Sequence, residues 1–301
     1  MVARCATVLG AVLLICCMAG VALARAVPDE GQIAYQSNRS RGENIYLLDV
    51  RTRVTISLTR DRALYNAMPA WSPDGQHIAY TMNIGENLDA SSIYIMSVDG
   101  TGLSRVTYQN SILAAWSPDG AHIAYTMLGN VVSMVPVAGG MSQRLGRGSS
   151  ADWSPDSSAV VFLGRDNANT ETDGTQMLQI VQVDSRQRRN LLPETLLAYA
   201  PDWSPDGRWI AFISPVGGQS RLYRVEAACN RDCETAMLPI GDATIAASEP
   251  DWSPDGARLV FACGQPRRRT EICIVNADGT GLQQLTASAS HVINRAPAWR
   301  P

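Results

Sequence analysis

Three carboxylates hold the same position ahead of a tryptophan: Asp152 in "SADW", Asp202 in "APDW" and Asp251 in "EPDW". Acids that recur at one slot of a repeated unit can converge on a hard cation or accept hydrogen bonds from the neighbouring unit. Ala70, Ala115 and Ala298 fill the slot in other copies. An oxygen cage for Ca²⁺ normally draws on more ligand groups than three carboxylates on half a ring supply, so the hydrogen-bonding role is preferred and no metal is assigned. Histidine is scarce. His77 and His122 share a slot just past a turn glycine that another copy fills with Arg258, which marks exposed strand starts, and His291 stands alone in a loop. A general-base histidine needs a positioned partner, and no catalytic residue is assigned.

All 25 basic residues are arginine, which removes Schiff-base lysine and the phosphate-gripping lysine of P-loops. No cofactor fingerprint is present and no cofactor is assigned. A formal charge of -3 with 46% apolar residues describes a foldable globular chain with no pull toward nucleic acid.

A repeat must position these residues. "WSPDG" occurs at 71–75, 116–120, 203–207 and 252–256, with "WSPDS" at 153–157 and "APAWRP" at the end. Trp71, Trp116, Trp153, Trp203, Trp252 and Trp299 lie 45, 37, 50, 49 and 47 residues apart, a propeller-like spacing. Each unit runs in one order: a short alternating strand such as "HIAYTM", a second such as "IYIMSV", a turn such as "DGTG", a third such as "LSRVT", and a return strand such as "APDW". Four short strands with turn chemistry at every joint make one antiparallel blade. "SPDG" reads as a type I turn, with proline presetting the backbone and glycine closing it. Tryptophan supplies a flat ring to fill the wedge between sheets, with its N–H free to find a carbonyl. The pentapeptide is therefore a joint, not a site.

The ends fix the count. "GQIAYQSN" at 31–38, "NIYLLDV" at 44–50 and "VTISLT" at 54–59 lack a first strand, and "RAPAW" at 295–299 is a first strand with nothing after it. Joined, they complete a six-bladed all-β propeller closed by its C-terminal strand, which leaves no open sheet edge at the seam.

"WSPDG" followed by "IAY", then "IY" and "DGTG...LT", resembles the WD-like propeller repeat of the TolB family, also found in propeller domains of prolyl-oligopeptidase-type peptidases and tricorn-like proteases. The resemblance runs from about Gly31 to Trp299. It implies an exported propeller that binds or scaffolds. TolB carries a separate domain ahead of its propeller, whereas only Val27 to Glu30 lie here between leader and first strand, so its cellular role is not carried over. The peptidases need a "GxSxG" elbow, which is missing.

Residues 1–26, with Arg4, an uncharged run from Cys5 to Ala24 and the small-x-small pattern of Ala22 and Ala24, read as a secretory signal; 27–301 are then one propeller domain. The rival reading is an uncleaved anchor. Cleavage predicts a periplasmic or secreted monomer with no stable membrane insertion. It leaves Cys229, Cys233, Cys263 and Cys273, an even set suited to disulfides in an exported chain. Three pairings are possible. The local one, Cys229 to Cys233 and Cys263 to Cys273, is preferred because each pair lies within one hairpin. "GRDNANTETDGTQ" at 164–176 and "GQPRRRT" at 264–270 lengthen two hairpins, and Arg267, Arg268 and Arg269 in the second are more simply solvated than gripping an acidic partner.

Residues three to five positions ahead of the tryptophans vary from copy to copy. Asn66, Ser111, Tyr199, Glu249, Asn294 and Arg295 are expected to line the channel mouth and bind ligand, since loops on a rigid scaffold carry binding. The leading expectation is a non-catalytic propeller binding a protein, peptide or cell-envelope glycan. The alternatives are a glycan lyase or hydrolase using carboxylates at the mouth, or an accessory subunit of an envelope enzyme.

Overall fold

In the computed structural model, residues 31–40, 42–60, 65–83, 90–108, 110–165, 176–193, 195–242, 244–265 and 269–301 are described. They form an all-β ring of six four-stranded antiparallel blades. Blade one holds β1 (Gln32–Ser37), β2 (Asn44–Asp49), β3 (Thr55–Ser57) and, as its first strand, β23 (Asn294–Trp299). Blade two is β4 (Tyr65–Trp71), β5 (His77–Asn83), β6 (Ser92–Ser97) and β7 (Ser104–Arg105). Blade three is β8 (Ser111–Trp116), β9 (His122–Met127), β10 (Val131–Pro136) and the first half of β11 (Gln143–Trp153). Blade four takes the second half of β11 with β12 (Ala159–Arg165), β13 (Gln176–Gln182) and β14 (Arg188–Asn190). Blade five is β15 (Tyr199–Trp203), β16 (Trp209–Ser214), β17 (Arg221–Glu226) and β18 (Leu238–Pro239). Blade six is β19 (Ala247–Trp252), β20 (Arg258–Gln265), β21 (Arg269–Asn276) and β22 (Gln283–Gln284). Among the described residues no helix is long and apolar enough to cross a membrane. Residues 1–30, including the segment expected to be a leader and its cysteines, most of the insertion at 164–176, and Arg267 and Arg268 lie outside the described residues.

The core sits between blades. Six buried clusters each join neighbouring blades, as where Ile78 and Tyr80 of β5 pack with Ala34, Ile45 and Leu47 of blade one around Trp71. Ala79 of β5 faces the other way, toward Ile123 and Tyr125 of blade three. Middle strands are thus buried on both faces, and the "IAY" pattern alternates large with small instead of apolar with polar. In five of the six blades the outermost strand is two or three residues long, which limits its value as a template for stray pairing; in blade three the outer half of β11 takes that place.

Each "SPDG" closes as a turn: the N–H groups of Gly75, Gly120, Gly207 and Gly256 donate to Ser72, Ser117, Ser204 and Ser253 carbonyls at 2.8–2.9 Å. The serine hydroxyl donates to the turn aspartate, as Ser72 to Asp74 at 2.5 Å. That bond comes first among the causes holding Asp74, Asp119, Asp156, Asp206 and Asp255 below the usual carboxylate range. Trp71 and Trp153 donate their indole N–H to the carbonyls of Ala298 and Ala115 in the preceding blade, at 3.0 and 3.2 Å. Trp203 instead donates to Gly207 within its own turn. Disulfides join Cys229 to Cys233 and Cys263 to Cys273.

Candidate functional site: the axial channel and its mouth

All six first strands break register at one level. In β4 the shift falls between Ala67 and Ala70, and equivalent shifts occur in β8, β11, β15 and β19, and where β23 meets β1. The third residue before each tryptophan takes a left-handed backbone: Met68, Leu113, Ser150, Ala200, Glu249 and Ala296, with φ from 46° to 57°. None is glycine, so each carries strain of about 1 kcal/mol or more that its surroundings must hold. At four of the six, a side chain of the blade before accepts the N–H of the bulged residue. Met68 N–H donates to Gln36 Oε1, Leu113 N–H to Thr81 Oγ1 and Ser150 N–H to Thr126 Oγ1, at 3.2–3.3 Å. Ala262 occupies the matching position in blade six and has no oxygen to offer on its side chain. There the Glu249 carboxylate accepts the Ala296 N–H at 2.7 Å.

The bulged residues, the tryptophans and the turn prolines enclose a channel of about 540 Å³ lined mainly by Ala, Pro and Trp, with Asp152, Asp202, Glu249 and Asp251 as its acids. The three aspartates lie on consecutive blades. Asp152 accepts the backbone N–H of Trp203, Asp202 that of Trp252 and Asp251 that of Trp299, at 2.7, 2.7 and 2.6 Å. Each carboxylate thus stitches its blade to the next, the role preferred from sequence. Among the described residues no group of three or more His, Cys, Asp or Glu is placed to hold a metal ion. Burial pushes Asp152 up to about 6 and Asp251 up to about 8, against the amide bonds that pull them down. Asp202, between them, is driven well above the usual range by burial and then by the charges of Asp251 and Asp152.

Next to the bulge residues Met68, Glu249 and Ala296, one sector breaks the repeat with charge. Arg295 Nη2 lies 3.5 Å from Glu43 Oε1 and donates to Tyr65 Oη at 3.1 Å. Gln36 Nε2 donates to Glu43 Oε2 at 2.8 Å. Burial raises the Glu249 pKa, while the Ala296 amide and the Arg295 charge oppose the rise. One guanidinium therefore serves two carboxylates from blades one and six, beside a tyrosine from the start of blade two. Gln36, Glu43 and Tyr65 were not anticipated; Gln36 carried a readable signal, a polar residue in an apolar strand at the slot of Thr81 and Thr126.

The six residues expected at the mouth do not assemble as one rim. Glu249 lines the channel and Arg295 joins the charged sector. Tyr199 is 38% exposed on blade five, with Leu197 and Val216 exposed nearby in sequence or on the adjoining hairpin. Asn66, Ser111 and Asn294 are corrections to the expectation of free loop residues: they lie within β4, β8 and β23 and are buried, because strand pairing continues past the bulge.

Asn294 belongs to a clasp. Its Nδ2 donates to Glu271 Oε2 at 2.9 Å, and the same carboxylate accepts from Thr286 Oγ1, Ser288 N and Arg269 Nε. Burial pushes Glu271 upward, but these donors outweigh it and hold it below the usual range. The clasp ties blade six to the segment entering the closing strand β23. Glu271→Gln, which turns an amide donor toward these donors, is expected to cost about 2–3 kcal/mol in urea unfolding. A change under about 0.5 kcal/mol would rule the clasp out as a stabilising element.

Comparison with known proteins gives a consistent result. The family described as TolB beta propeller domain matches residues 13–191 and 112–301. The Tol-Pal system protein TolB of Francisella tularensis subsp. holarctica is 29% identical over 196 residues, covering 62% of this chain and 43% of that relative's length. The chain thus matches less than half of that protein. The crystal structure of TolB from Acinetobacter baumannii superposes with a TM-score of 0.72 at 20% identity, over 90% of this chain and 67% of the other. A putative TolB from Agrobacterium tumefaciens gives 0.68 at 20% identity, over 90% and 99%. The chain belongs to the TolB beta propeller domain family.

Proposed function

We propose that this chain is an exported, non-catalytic propeller of the cell envelope that binds a protein or peptide partner at the channel mouth, with envelope glycan as a further ligand class. The observation that carries it is the charged sector of Glu43, Tyr65, Glu249 and Arg295, which breaks an otherwise repeated wall where a partner has access. Similarity to a protein named for the Tol-Pal system supports a protein partner. The leader, cleaved after Ala24 or Ala26, and two disulfides support an oxidising compartment outside the cytoplasm. The ring acts as a monomer, in keeping with its closed seam.

Glu249 engages one oxygen in holding Ala296, and such a carboxylate is poorly placed to turn over substrate without disturbing the wall. Incubation with envelope polysaccharides and peptides is expected to give no turnover. Hydrolysis or elimination that disappears in Glu249→Gln while the fold persists would contradict the binding reading.

A further inference from the structure

A second unassigned feature lies on the outside of the ring, around the outer half of β11. A register shift opposite Val132 and Ser133 places Arg144 across from Ser133 and Arg147 across from Val131, two partner residues apart and so on one face. From the other side come two arginines of blade four. Arg186 Nη2 donates to Gln143 Oε1 and Arg188 Nη2 to the Leu145 carbonyl, both at 2.6 Å. Four guanidinium groups therefore bracket one outer strand. Among the described residues none of them forms an ion pair, and the carboxylate of the turn between β13 and β14, Asp184, is not bonded to them. Arg144 and Arg147 are exposed and their side chains make no hydrogen bond among the described residues, and Arg186 Nη1 is a buried donor without an acceptor.

This concentration of cations stands in a chain of net charge -3, so it is segregated charge. Met141, on the loop that enters β11, is 88% exposed. On blade two, next around the ring, Arg105 stacks 4.9 Å over Tyr108, which is 79% exposed. Guanidinium forks match phosphate oxygens, and exposed Met and Tyr beside arginine suit the boundary between headgroups and acyl chains. An acidic protein would use the arginines but would leave Met141 and Tyr108 unexplained.

We propose that the outer edge of blades three and four docks on an anionic phospholipid surface, with Arg144, Arg147, Arg186 and Arg188 meeting headgroup phosphates and Met141 entering the interface. The contact is peripheral and independent of the channel.

The ring from Gly31 to Pro301 closes on its own strands, so it can be tested without the apolar leader. Co-sedimentation with phosphatidylcholine vesicles, with or without about one-third phosphatidylglycerol, is expected to show binding only when the anionic lipid is present, weakening with salt. Arg144→Glu with Arg147→Glu, both free of internal bonds, is expected to weaken binding by about thirtyfold or more, while the double lysine variant retains most of it. Met141→Ser is expected to weaken it further. Absence of binding to the anionic vesicles at low salt, equal binding by the double reversal, or retention on an immobilised acidic polypeptide with no vesicle binding would each overturn the proposal.

Discussion

Thermal unfolding of the ring is expected to move to higher temperature as the pH is lowered from about 9 to about 5. Asp152, Asp202 and Asp251 have folded-state pKa values raised above their unfolded value of 3.8, to about 6 for Asp152 and about 8 for Asp251. A raised carboxylate carries no penalty while both states are protonated, below 3.8. The penalty then grows as pH rises and levels off above the folded pKa. For Asp152 the loss runs from about pH 4 to 6 and for Asp251 from about 4 to 8. Together the three are expected to change the unfolding free energy by on the order of 3–5 kcal/mol, less than the full shifts imply because the acids are partly open to the lumen. The turn aspartates work in the opposite sense, since their depressed pKa values cost stability only at lower pH. Asp251→Asn keeps an oxygen for the Trp299 amide and removes the charge. It is expected to stabilise the protein by about 1–3 kcal/mol at pH 8 and to flatten the profile. A melting temperature that rises with pH across this window would contradict the account.

Gly148→Ala is expected to prevent folding or to cost more than about 4 kcal/mol. Gly148 is the point where β11 passes from blade three to blade four, with φ of 148°. A Cβ there would sit 2.0 Å from the Leu163 carbonyl oxygen and 2.9 Å from the Phe162 ring. The first contact is backbone in a paired strand and has no rotamer to yield, and the dihedral itself is one that only glycine adopts readily. Urea unfolding of the soluble fraction, with circular dichroism for residual sheet, measures the effect; a native-like midpoint would show that β11 can re-route.

The aspartate ring and the Gly148 crossing differ in how far the sequence shows them. The aspartate slot ahead of the tryptophans was visible, and so was its simplest use, because a repeat places equivalent residues in equivalent contacts. Ring closure was equally readable, since "RAPAW" and "GQIAYQSN" each lack what the other supplies. Gly148 was not, because a strand shared by two blades looks in sequence like an ordinary short connection. The bulge that lines the channel was hidden for a different reason. It uses Met68, Leu113 and Ala296, residues with no turn preference, and is imposed by side chains from the blade before. Its consequence is that Asn66, Ser111 and Asn294 fall inside paired strands. Glu43 and Arg295 lie 252 positions apart, and only closure brings them together.

The most direct test of the binding account is capture from envelope extract by the immobilised ring, compared with a variant carrying Tyr199→Ala, Glu249→Gln and Arg295→Ala. A specific partner is expected to be held by the wild-type ring, with affinity reduced at least about tenfold in the folded triple variant. A partner held equally well by both would contradict binding at the channel mouth.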